Sequence, residues 1–84
     1  MILNRIKDID EKLSQCDFYL VDYYASLTNE ELVLKMDNLL KERDINLRLK
    51  KSTKGTDMVI MIVNLLIEKK GLIELYQSEL KELS

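Results

Sequence analysis

Apolar residues open the chain in strict order. Ile2, Ile6, Ile9, Leu13, Cys16, Leu20, Tyr23 and Leu27 are separated by alternating steps of four and three, the seam of a heptad helix. Arg5, Lys7, Asp8, Asp10, Glu11 and Lys12 fill the solvated positions between them. This spacing predicts one helix from about residue 2 to 26. Thr28 then stands three residues before Glu31, with Leu27 and Leu32 outside that pair. That is a capping box with its hydrophobic staple, so a corner is expected at 27–28. The second helix carries Leu32, Val33, Met36, Leu39, Leu40 and Leu47 on one broad face.

The next stretch supports two readings. Ile45, Leu47 and Leu49 alternate with polar residues, and 59–63 is rich in β-branched side chains. A hairpin of 45–50 with 58–63 would satisfy both. Against it, Val59, Ile62, Leu66, Ile73, Tyr76, Leu80 and Leu83 keep one heptad phase, which a strand has no reason to share. The phase favours a helix over 57–82, capped by Thr56 or Asp57, with 50–56 as a loop. Gly71 marks a candidate kink, since Gly weakens a helix by about 1 kcal/mol relative to Ala. The expected fold is all-α: a single domain, 1–84, in which three long helices form an antiparallel helical bundle.

Apolar side chains outnumber what one seam can bury. In "MVIMIVNLLI", residues 58–67, Ile60, Met61, Val63, Leu65 and Ile67 lie off the seam. A helix apolar all round is a buried helix and needs further neighbours. On the first helix Phe18, Tyr19, Val21 and Tyr24 are in excess as well. Clustered aromatic and aliphatic side chains of this kind mark interfaces. Two readings compete. The chain's own second or C-terminal helix wraps over this surplus, or Phe18, Tyr19, Val21, Tyr24, Ile60, Val63 and Ile67 are partner-binding residues and dimerisation completes the bundle. The second is taken as the working expectation.

Composition narrows the chemistry. There is no histidine, and Cys16 is the only cysteine, so no intrachain disulfide forms and a structural zinc site lacks ligands. The usual general base near neutral pH is absent, and no Gly-rich phosphate loop occurs. No cofactor, metal site or enzymatic activity is expected. The run at 58–67 is half the length of a membrane span, and the N-terminus turns charged too early for an export signal. With its free cysteine, the chain is expected in the reducing cytoplasm.

"ILNRIKDIDEKL", residues 2–13, resembles the opening of the all-helical chorismate mutases. The resemblance implies a helical domain. Aligned on "IDEKL", the arginines with which that family binds its dicarboxylate substrate fall at Leu3 and Leu20, so no catalytic residue carries over.

Charge is unevenly placed. Residues 1–40 hold four basic and eight acidic side chains, whereas residues 41–54 hold six basic and two acidic. Arg43, Arg48, Lys50, Lys51 and Lys54 are thus candidate contacts to phosphate or to an acidic protein, with Lys69 and Lys70 able to join them if the helices fold back, or else cations placed where the dipole of a helix C-terminus favours them. The leading expectation is a small non-enzymatic module acting by stoichiometric protein binding. A dimeric nucleic-acid-binding regulator using 41–54 is the alternative.

Overall fold

The computed structural model describes residues 1–83, which form four α-helices and no strand: α1 (Ile2–Ser14), α2 (Phe18–Ala25), α3 (Asn29–Arg48) and α4 (Lys54–Leu83). The all-α expectation holds, and the alternative hairpin at 45–63 is not formed. The single helix expected over 2–26 is instead two. Asp17 leaves helical geometry, with φ −57° and ψ 121°, and its side chain accepts a hydrogen bond from the Leu20 N–H. An Asp in that role satisfies a backbone donor that a helix start leaves open.

The break changes which residues are inside. Upstream, Ile9 and Leu13 lie in the core as the seam requires. Downstream the phase slips by one residue: Tyr23 is exposed and Tyr24 is buried.

α3 begins as its sequence dictates. Thr28 Oγ1 accepts from the Glu31 N–H at 3.2 Å, and Glu31 Oε1 accepts from the Thr28 N–H at 3.0 Å. α4 starts earlier than expected, at Lys54 rather than 57. Neither Thr56 nor Asp57 caps it. Thr53 precedes the helix; its hydroxyl donates to Asp57 Oδ2 at 2.8 Å, and its carbonyl accepts from the Asp57 N–H at 2.7 Å. Gly71 lies within the unbroken helix.

α4 is the spine against which α1, α2 and α3 all pack. Asn29 meets Glu74, and Arg43 meets Asp57, so α3 runs antiparallel to α4 along most of its length. α1 starts beside Tyr76 and Glu79, and the α1–α2 corner lies beside Leu66 and Lys69. α1 is therefore also antiparallel to α4. The apolar run supplies the centre of the core, Ile62, Val63, Leu65 and Leu66, against Ile9, Leu13, Tyr24, Leu32 and Leu39. Beyond the α1–α2 corner, the start of α4 and the end of α3 continue as a two-helix arm. The molecule is accordingly long, 54 × 24 × 21 Å.

Candidate interaction surface

The sequence-predicted partner surface is largely inside the fold. Val63 is 0% exposed and Tyr24 is 7% exposed. Both belong to the core rather than to a free face, because α4 is enclosed by three helices and α2 enters out of phase. Val21, Ile60 and Ile67 are half-buried and pack on that core. Only Phe18 and Tyr19, 71% and 81% exposed, stand clear. Their rings meet edge to face with centroids 5.7 Å apart.

A larger apolar surface lies on α3. Its inward line, Leu32, Met36 and Leu39, packs on the core. One residue on, Val33, Leu40 and Leu47 repeat every seven positions and form a second line beside the first. With Leu34, they are 50–61% exposed. Val33 and Leu34 floor a shallow groove edged by Asn29, Glu30 and Asp37. Lys35, whose ammonium lies 5.9 Å from the centre of the Tyr24 ring, occupies the other flank of the buried line, so α2 does not cover Val33 and Leu40. The seven-residue spacing was visible in the sequence. Adjacent Leu32 and Leu39 repeat with the same spacing, which merged two lines into one broad face.

The basic candidates separate into two groups. Arg43 Nε donates to Asp57 Oδ1 at 2.7 Å across the arm, and Arg48 pairs with Asp44 at 2.9 Å. Arg43 is thereby held between the two helices, whereas the Arg48 pair lies within α3 and leaves that side chain largely exposed. Lys69 and Lys70 do not join the patch: Lys69 pairs with Asp10 at 2.6 Å, and Lys70 Nζ donates to the Leu27 carbonyl at 2.6 Å. Lys50, Lys51 and Lys54 are exposed at the tip of the arm. Lys50 has φ 56°. The Lys50 and Lys51 N–H groups donate to the Leu47 and Asn46 carbonyls, at 3.1 and 2.8 Å. This is a Schellman ending with lysine where glycine is favoured. Lys50→Gly is expected to raise stability by about 1 kcal/mol by relieving the left-handed conformation, readable as a higher urea midpoint.

Three carboxylates titrate low: Glu68 and Asp57, which join α4 to α1 and α3, and Glu31, which caps its own helix. The hydrogen bonds from Arg5 to Glu68, at 2.5 and 2.8 Å, hold the Glu68 carboxyl below the usual range. The Thr28 N–H and then its hydroxyl do the same for Glu31, and the Thr53 hydroxyl followed by Arg43 for Asp57. Groups with depressed folded pKa values stabilise the fold fully above their unfolded values, and that contribution is lost as pH falls through the folded ones. Stability is therefore expected to be level near neutrality and to decline once pH drops below about 4. Urea midpoints at neutral and acid pH read this, and Glu68→Gln should flatten part of the decline.

Among the described residues, no three His, Cys, Asp or Glu side chains are grouped to hold a metal ion. No helix there is long and apolar enough to cross a membrane. Cys16 is half-buried, its thiol 3.4 Å from the Lys12 carbonyl. The surface offers exposed apolar side chains and charge. No protein-family model matches the chain, and no curated protein or solved structure matches it either.

Proposed function

We propose that this chain is a small non-enzymatic interaction module that acts by stoichiometric binding to protein in the cytoplasm, as a regulator, an inhibitor or immunity factor, or an assembly subunit, and that it works as a dimer. One observation carries the reading: the exposed line Val33, Leu40 and Leu47, with Leu34 beside it, on the outward side of α3. A chain this short has a thin stability margin, and an apolar line that its own helices leave open is a surface for another protein. The test is retention of native-host proteins on the immobilised chain. A protein held in fixed ratio through high salt, and released from a Val33→Glu/Leu34→Glu variant, supports the reading. A chain that retains no protein and does not self-associate overturns it.

The tip of the arm favours a second reading, binding to nucleic acid, because Lys50, Lys51 and Lys54 are exposed there beside Arg48. Such binding would weaken steeply with salt and vanish on charge reversal at Arg48, Lys50 and Lys51. Salt-resistant retention of protein alone speaks against it.

A further inference from the structure

We propose that the occupant of the α3 line is a second copy of this chain, packed antiparallel through a two-fold axis at Leu40. This rests on the reading of the chain as an interaction module and names its partner. The geometry is self-complementary in two independent ways. The first is spacing. Val33 and Leu47 each stand seven residues from Leu40, so reversing α3 onto itself sets Leu40 on Leu40 and Val33 on the second copy's Leu47, twice. A two-fold interface requires that one patch fit itself in this way. The three positions span about 21 Å at 1.5 Å per residue, about two-thirds of the length of α3.

The second is charge. α3 is acidic at its start, Glu30 and Glu31, and basic at and just past its end, Arg48, Lys50 and Lys51. Glu30 and Lys50 each stand ten residues from Leu40, and Asn29 and Lys51 eleven. The same reversal therefore brings the acidic start of each copy onto the basic end of the other. A parallel pairing would set like charges together at both ends, which costs affinity. Lys50 accepts a left-handed backbone at the point where its cation would face Glu30. A contact one helix wide falls below the standard of about 800 Å² per partner. The dimer is therefore expected to dissociate on dilution rather than to be permanent.

Sedimentation equilibrium of the full chain, from low micromolar to millimolar concentration, should show monomer and dimer in exchange. Leu40→Asp should weaken the dimer about 100-fold or more, since both copies lose a leucine contact, while helical content is kept. In a Cys16→Ser background, Leu40→Cys should form a disulfide-linked dimer on oxidation, and Leu75→Cys, exposed but off the axis, should not. Glu30→Lys should weaken association, and adding Lys50→Glu and Lys51→Glu should restore it. A chain that stays monomeric at millimolar concentration overturns this inference, leaving a different protein as partner. A dimer indifferent to Leu40→Asp and not linked through Cys at position 40 overturns the α3 arrangement, while self-association stands. Monomeric behaviour together with no retained protein sinks both this inference and the interaction reading beneath it.

Discussion

Ile62→Ala is expected to cost about 3 kcal/mol, within the 2–5 kcal/mol that large-to-small core substitutions remove. Ile62 is fully buried near the middle of α4, the helix against which the other three pack. Deleting three carbons there removes their transfer energy and leaves a cavity that α4, held on several sides, cannot close. A domain of this size has roughly 4–13 kcal/mol in total, so one substitution removes a large share of it. The melting temperature should fall by about 12–24 °C, with an unchanged urea m-value if folding stays two-state. Phe18→Glu supplies the contrast. That side chain is mostly exposed and lies outside the core, so its stability change should stay within about 0.5 kcal/mol. Equal losses at the two sites would mean that Phe18 is covered in solution and that the α1–α2 corner is itself an interface.

What the sequence disclosed follows from how local each determinant is. The start of α3 was legible because the Thr28–Glu31 box closes within four residues. The helical state of 58–67 was legible from phase, since Val59 through Leu83 keep one register. The break at 15–17 was not legible. Its signal is a single capping residue, Asp17, with Leu20 rather than Glu or Gln three positions on, and neither Gly nor Pro nearby. The heptad seam runs through it because Cys16, in the break itself, and Leu20, on α2, still pack on the core. Treating α1 and α2 as continuous puts Tyr23 inward and Tyr24 outward, the reverse of their burial, whereas Val63 is inside because of how α4 packs. The fate of the cations divides in the same way. Asp44–Arg48 is an i,i+4 pair that sequence spacing contains. Arg43–Asp57 forms only when α3 and α4 close as a hairpin, and Lys69–Asp10 only when α1 lies on α4. The α3 line needed the fold in a third sense. Leu32 with Leu39, and Val33 with Leu40, are equally periodic, and only the position of α4 decides which line is covered.

Tyr24→Ala should cost about 3 kcal/mol as well, toward the lower end for a buried aromatic, but its loss should be local in character. Tyr24 is the one buried residue of α2. Its ring packs in the core, meets Tyr23 edge to face at 5.0 Å between centroids, and lies 5.9 Å from the Lys35 ammonium. α2 has eight residues, too few to persist as a helix without tertiary support. What remains to hold it is the Asp17 cap, the half-buried Leu20 and Val21, and the Lys70 bond to the Leu27 carbonyl. None of these replaces an aromatic anchor. With the ring gone, α2 can leave α4 while α1 and α3 stay packed, because each of those helices has its own contacts with the spine. Native-state hydrogen exchange separates the two modes. The amides of residues 21–26 should exchange much faster in the variant, by more than the fall in global stability accounts for, while residues 62–66 track the global value alone. Tyr24→Phe keeps the ring and should leave both rates near those of the parent chain. Uniform acceleration along all four helices would instead show that α2 opens only when the whole bundle does. The corner carrying Phe18 and Tyr19 would then be as firmly fixed as the α3 line.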